Sequence, residues 1–312
     1  MDIDDDGNDD ILTGSYWPGD IYLFKGKGEG LFAAAEILKD ESGKNVNGGP
    51  AWKSKDEPEM DSLAAAPHLA DVDDDGDYDL MIGNISGRVI LIMNDGTPTE
   101  PKFSAEKRAL RAGGEDLQVG RDAGPITFDW NDDGLLDLII GDGEGAVWYF
   151  ENLEGDEREF AKGVKLLEGA TPDWENPPLE GTIPERSGMR TKVHVADYNG
   201  DGLNDLLVGD YHSQQSPEPQ LNDEQKALRA RLEKEAEEIN EKIAKLSQSG
   251  AKNDSPQMQA LYEQNGKTYE QLRPLQPQHT AHGFVWYLAR KNPATAPSLT
   301  AAGAPAGSGA NE

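Results

Sequence analysis

Along most of the chain, apolar residues come in short runs bounded by Asp and Gly. The runs ILTG from Ile11, LMIG from Leu80, LIIG from Leu138 and LLVG from Leu206 each close on a glycine. A second glycine then opens another β-rich run: Gly19 before DIYLF, Gly87 before RVILI, Gly145 before AVWYF and Gly283 before FVWYL. In the first three copies only four or five residues separate the two glycines. Two apolar β-formers joined by so short a turn predict a hairpin. A further apolar run follows in those copies, opening with Phe32, Phe103 and Phe160. A short strand also precedes copies two, three and four: HLA from His68, ITF from Ile126 and VHVA from Val193. Strand, loop, strand, turn, strand, loop, strand in roughly sixty residues is the content of one propeller blade.

The pattern changes once. Gly209 and Gly283 are 74 residues apart, and the intervening segment has helical spacing. Asn222 with Gln225 predicts a capped start, followed by Leu228, Leu232, Ala236, Ile239, Ile243 and Leu246. Ser255 and Pro256 predict a second start, with Met258, Leu261, Tyr262, Tyr269 and Leu272 along one face. We expect a helical hairpin over 213–282, inserted in the last blade, with its apolar stripe as the seam between its own helices. The segment 292–312 is rich in Ala, Pro, Gly and Ser and reads as a disordered tail.

Four segments align without gaps: DIDDDGNDDILTG from Asp2, DVDDDGDYDLMIG from Asp71, DWNDDGLLDLIIG from Asp129 and DYNGDGLNDLLVG from Asp197. Their starts are 69, 58 and 68 residues apart, a period that signals a repeat architecture. The expected blades are about 1–66, 67–120, 121–190 and 191–291. The shared pattern is D-x-[DN]-x-D-G-x-x-D. Calcium takes six to eight oxygens at about 2.3–2.6 Å, and alternate loop residues can turn their oxygens to one centre. The predicted side-chain ligands are Asp2, Asp4, Asp6 and Asp10; Asp71, Asp73, Asp75 and Asp79; Asp129, Asn131, Asp133 and Asp137; and Asp197, Asn199, Asp201 and Asp205. Backbone carbonyls of Asn8, Asp77, Leu135 and Leu203 would join them. The sixth-position glycine is expected where the chain reverses and a Cβ would be in the way. Up to four Ca2+ ions follow, one per loop. The twelfth positions, Thr13, Ile82, Ile140 and Val208, lie in β-rich runs, which excludes an EF-hand.

The balance of charge fits this reading. With 59 acidic against 29 basic residues the net charge is −30, so nucleic acid and anionic membranes are poor partners and divalent cations natural ones. No cysteine is present, which removes disulfides and thiolate chemistry. No export signal is visible. Met1 leads straight into the first motif, so we expect the true N-terminus, and any such signal, to lie upstream.

The DxDxDGxxDLLVG unit resembles the FG-GAP/VCBS repeats of integrin α-subunit propellers and of many bacterial secreted proteins. The resemblance covers roughly residues 1–211 and 283–291. It implies an all-β propeller, bound calcium and an extracytoplasmic location, and is compatible with adhesion, carbohydrate binding or scaffolding. Integrin-type rings have seven blades and four motifs are visible here, so a four-bladed ring and part of a larger one both stand, with the former preferred.

Catalytic patterns are missing from the sequence. His68 and His194 stand three residues before their loops, but Ile126 holds that place in copy three, which marks strand packing. Trp148 and Trp286 share one repeat position and also read as packing. Trp52 and Trp174 fall in connections between blades, where ligand contacts often lie. We therefore expect a non-enzymatic module that binds a protein or carbohydrate ligand, with self-association through the helical hairpin as an additional possibility. The alternative is a sugar-active enzyme or lectin-like domain with its site in the inter-blade loops.

Overall fold

The computed structural model describes residues 1–49, 62–153, 159–170, 172 and 176–291. Four antiparallel sheets follow one another along the chain, one for each Asp loop. Unit one is β1 (Ile11–Gly14), β2 (Ile21–Phe24) and β3 (Glu36–Ile37). Unit two is β4 (Ala66–Ala70), β5 (Asp79–Gly83), β6 (Val89–Ile92) and β7 (Arg108–Ala109). Two short strands, β8 (Arg111–Ala112) and β9 (Glu115–Asp116), lie in the connection that follows. Unit three is β10 (Gly124–Phe128), β11 (Asp137–Gly141), β12 (Val147–Phe150) and, beyond β13 (Glu159–Phe160), β14 (Val164–Leu167). β13 leaves that sheet and pairs in parallel with β8, tying unit three back to the preceding connection.

Unit four is built from β15 (Met189–Ala196), β16 (Asp205–Gln215), β17 (His279–His282) and β18 (Val285–Leu288). β16 is long because it serves two partners: Leu206–Gly209 pair with β18, and His212–Gln215 pair with β17. The second half is a two-stranded stalk that carries the inserted helices α1 (Asp223–Gln248) and α2 (Pro256–Leu272). The expected insert therefore begins and ends as strand, and only its middle is helical. The side chain of Asn222 accepts from the Gln225 N–H while the Gln225 side chain accepts from the Asn222 N–H, and Ser255 caps α2 ahead of Pro256. Leu232, Ala236, Leu272 and Leu275 form a small core between the helices, so the stripe is their own seam. No helix is long and apolar enough to cross a membrane among the described residues.

The main core lies between consecutive units, and this explains why β5 and β11 are buried along their whole length. Leu80 and Ile82 pack back onto unit one, with Ile21 and Leu23, whereas Met81 and Leu91 pack forward onto Leu138, Ile140 and Phe150 of unit three. Ile139 and Val147 then face Val193, Leu206 and Val208 of unit four. Backbone bonds repeat at each junction: Ala65 donates to Ser15 O, Ala123 to Asn84 O and Thr191 to Asp142 O. Both repeat glycines sit at this seam. A Cβ at Gly14, Gly83 or Gly141 would collide with a carbonyl in or just before the first strand of the next unit, as would one at Gly19, Gly87 or Gly145. The histidine position also works across units. His68 Nε2 accepts the Thr127 N–H at 2.9 Å, and burial holds the imidazole down at about 4, so it stays neutral.

The strongly packed neighbours are β1 with β4, β4 with β10, and β10 with β15. β1 and β15 form no comparable pair among the described residues. Among the described residues the strong packing therefore runs from unit one to unit four, without a matching contact between units one and four. The expected tail, 292–312, lies outside the described residues.

Candidate functional site: the Asp-rich loops

One hydrogen-bonded frame recurs in all four loops. The first Asp accepts two backbone N–H groups with its two oxygens, from the fifth and sixth positions. In loop one these are Asp6 to Asp2 at 3.1 Å and Gly7 to Asp2 at 2.8 Å. The same pair of bonds forms at Asp71, Asp129 and Asp197. The fifth-position Asp then accepts the N–H of position seven, at Asn8, Asp77, Leu135 and Leu203. This winding needs left-handed backbone twice. Position four has φ of 51° to 75° at Asp5, Asp74, Asp132 and Gly200, and position six has 86° to 94° at Gly7, Gly76, Gly134 and Gly202. A Cβ on the sixth-position glycines would meet nothing within 4 Å. Glycine is there for its φ, not for the lack of space expected above.

The ninth-position Asp is the buried keystone. Its carboxylate accepts the N–H of position two and an N–H just beyond the next strand. At Asp10 the donors are Ile3 and Gly26; at Asp79, Val72 and Asn94; at Asp137, Trp130 and Asn152; at Asp205, Tyr198 and Arg290. Sequence reasoning gave this Asp only the closing ligand position. Its observed work is to clamp the loop to the hairpin.

The loops differ in where the remaining oxygens go. In loop one, oxygens of Asp2, Asp4 and Asp10 lie within 4.8 Å of one another, and so do those of Asp71, Asp73 and Asp75 in loop two. Asp4 Oδ1 and Asp77 Oδ1 are buried there without a hydrogen-bond partner. Asp6 is outside the first cluster and instead accepts from the Asn8 N–H and side-chain amide. Lys25 Nζ lies 2.7 Å from Asp4 Oδ2, a cation already beside loop one. Loop two has no such ammonium paired with it among the described residues and carries carboxylates at all five odd positions. Burial and then the neighbouring carboxylates raise Asp73 and Asp77, and burial lifts Asp79 to about 6.

Loops three and four bring no three carboxylates together among the described residues. The amide Nδ2 of Asn131 lies 2.9 Å from Asp133 Oδ2, and that of Asn199 lies 3.0 Å from Asp201 Oδ2. Their amide oxygens accept the N–H of the same aspartates. An Asn at position three was expected to supply an oxygen ligand; here its amide Nδ2 donates to the fifth-position carboxylate while its Oδ1 accepts that residue's N–H. The fit to calcium is therefore good in loops one and two and poorer in loops three and four.

A fourteenth position, missed above, completes the frame. Ser15, Asn84, Asp142 and Asp210 directly follow the first glycine, and each accepts backbone N–H groups of its turn. Trp148 Nε1 donates to Asp142 and Trp286 Nε1 to Asp210, which explains why these tryptophans repeat. A run of small oxygen-bearing side chains after the glycine was the available signal. In unit four Asp210 also lies 2.9 Å from His212 Nε2. His212 borders a cavity of about 440 Å³ between the stalk and the connection from unit three, walled by Pro178, Ile183, Pro184, Arg186 and Tyr211. Gln214 fixes that connection by bonding Gly181 and Thr182. Trp52 and Trp174 lie outside the described residues.

Residues 129–208 match the family model of FG-GAP-like repeats. They span the third loop, unit three and the fourth loop, so the repeat assignment rests on the motif-bearing part of the chain. No curated protein matches the chain. Among solved structures, one match is an Agrocybe aegerita lectin described by its specific recognition of non-reducing terminal N-acetylglucosamine. Identity is 16%, the TM-score is 0.33, and the match covers 65% of this chain and 47% of that one. The chain thus spans about half the length of that lectin, and a likeness so distant carries no argument for fold or ligand.

Proposed function

We propose that the chain is a non-enzymatic, extracytoplasmic binding module of the propeller type, whose unit-to-unit packing is stabilised by calcium. The observation that carries the metal is the second loop: three converging carboxylates with a fourth, buried carboxylate oxygen left unpartnered. Asp71, Asp73, Asp75 and Asp77 would hold the ion there, and Asp2, Asp4 and Asp10 in loop one. Carboxylates so close repel one another, and a divalent ion removes that repulsion. Free calcium at a hundred times Kd would add about 2.7 kcal/mol per site. Calorimetric titration with calcium, with magnesium as the control, tests this directly. Tight binding of two ions with a matching rise in melting temperature is the expected result. Absence of heat and of any shift at millimolar calcium would defeat the reading.

We assign the ligand, a protein or a carbohydrate, to the cavity beside His212, whose lining supports the reading. Apolar walls and one guanidinium, Arg186, suit a partly apolar, anionic or hydroxyl-rich group. A glycan array together with a peptide display screen, each repeated on Tyr211→Ala, would show binding that the substitution abolishes.

A further inference from the structure

The shared frame leaves some positions free to vary, and three of them vary in step. Opposite the eleventh loop position, the returning strand carries Leu23 in unit one and Leu91 in unit two, but Tyr149 in unit three and Tyr287 in unit four. The third loop position is Asp4 and Asp73 in the first two units, and Asn131 and Asn199 in the last two. Aspartate thus goes with leucine, and asparagine with tyrosine. The second loop position divides the same way, with Ile3 and Val72 against Trp130 and Tyr198.

The tyrosines reach the buried keystone. Tyr149 donates its hydroxyl to Asp137 Oδ2 at 3.1 Å, and Tyr287 donates to Asp205 Oδ2 at 3.1 Å. These same oxygens accept the N–H of position two, from Trp130 and Tyr198. A carboxylate oxygen offers two acceptor directions, and in units three and four backbone and hydroxyl take both. In units one and two, Asp10 and Asp79 accept their backbone N–H groups, but a leucine in the tyrosine's place has nothing to donate. The Asp10 carboxylate is accordingly one of the three that converge in loop one. Unit four extends the arrangement by one bond. Asn199 Nδ2 donates to the Tyr287 hydroxyl at 2.8 Å, so asparagine, tyrosine and the ninth Asp form a single chain of hydrogen bonds. The Tyr198 and Tyr287 rings, with centroids 5.3 Å apart, brace it. In unit three the Asn131 amide turns instead to the Glu151 carboxylate, at 3.3 Å.

We propose that Tyr149 and Tyr287 set which loops of the repeat take metal: their hydroxyls occupy the acceptor direction of the ninth Asp that a cation would use, and hold loops three and four closed without one. The proposal rests on the calcium reading of loops one and two given above. Asparagine at position three removes one negative charge, and a charge-assisted O–H bond to the ninth Asp offsets part of another. The repulsion that a divalent ion relieves in loop two is thereby relieved from within.

Calorimetric titration with calcium, and melting curves in calcium and in chelator, read the outcome on the full chain. The wild type is expected to take up two ions. Tyr149→Phe and Tyr287→Phe keep the ring and lose only the hydroxyl, so each should melt about 3–6 °C lower in chelator. Asn199→Asp combined with Tyr287→Phe should bind a third ion at least about tenfold more tightly than Asn199→Asp alone. A tyrosine that merely packs would leave that affinity unchanged. A wild type that takes up four ions overturns the proposal. So do phenylalanine variants that melt with the wild type in chelator, and a third ion held no tighter once the Tyr287 hydroxyl is gone. A wild type that binds no calcium, with both phenylalanine variants still melting early in chelator, defeats the calcium reading of loops one and two and supports the closure by hydroxyl.

Discussion

The second and fourth Asp loops have the same backbone and different contents. In both, the first Asp accepts the N–H groups of positions five and six, and a buried ninth Asp ties the loop to the hairpin. Loop two then fills its centre with carboxylates at Asp73 and Asp77, whereas loop four has Asn199 and Leu203 at those places. Asn199 turns its amide to Asp201 and to the Tyr287 hydroxyl, so loop four satisfies itself. Loop two leaves an oxygen unpaired. The frame belongs to the repeat, and the demand for a cation belongs to the side chains placed on it.

The largest effect should fall on what the two loops share. Asp79→Ala and Asp205→Ala each strip two backbone N–H groups of a buried charged acceptor. A loss of about 3 kcal/mol is expected for either, from the cost of leaving buried donors unpaired. Urea denaturation in the presence of chelator measures it. Equal losses support a common clamp; the absence of a loss from either substitution in chelator would leave the ninth Asp with a role in metal binding alone.

The next effect should divide the loops. Asp73→Asn is expected to remove about 2.7 kcal/mol of calcium-induced stabilisation at a hundredfold excess over Kd, while making the calcium-free protein more stable. Asn199→Asp should do the reverse, weakening the calcium-free protein and adding a calcium response. Melting curves of both variants with calcium and with chelator decide it. If neither substitution changes the calcium response, the third position does not set the fit. A smaller, equal effect is expected from Gly76→Ala and Gly202→Ala, about 1–2 kcal/mol each, because both force an L-residue into left-handed backbone.

The legible parts of this molecule were the local ones. The Gly-bounded apolar runs located the hairpins, and the Asp spacing located all four loops. Asn222, Ser255 and Pro256 marked the helix starts. What escaped depends on partners distant in sequence. The seam role of Gly83 needs the carbonyl of Ala123, and the position of His68 matters because Thr127 lies opposite. The unequal burial of like strands was illegible for the same reason: β18 reads like β12, and only its surroundings leave Val285 exposed where Val147 is buried. Spacing alone also could not give the orientation of Asn131 and Asn199, because an amide offers both an oxygen and a donor, and here the donor turns to Asp133 and Asp201.

The smallest and most discriminating difference lies in the titration of the two ninth-position carboxylates. Burial raises Asp79 from 3.8 to about 6; the N–H groups of Asn94 and Val72 resist, and the charges of Asp73 and Asp77 add to the rise. Burial also opposes the charge of Asp205, but the N–H groups of Arg290 and Tyr198 and the Tyr287 hydroxyl prevail and hold it below 3.8. The signs are therefore opposite. Folded Asp79 binds its proton more tightly than the unfolded chain does, so without calcium its contribution falls as pH rises from about 4 to about 6. Asp205 contributes stability above 3.8 that is lost only as pH falls through its lowered value. Calcium needs the ionised form of loop two, so adding it should pull the Asp79 midpoint down and leave Asp205 where it was. Side-chain carboxyl 13C titration by NMR, with and without calcium, reads both groups at once. Coincident midpoints in the calcium-free protein would erase the distinction between the loops, because burial and then the carboxylates of Asp73 and Asp77 would no longer raise Asp79 above the hydrogen-bonded Asp205.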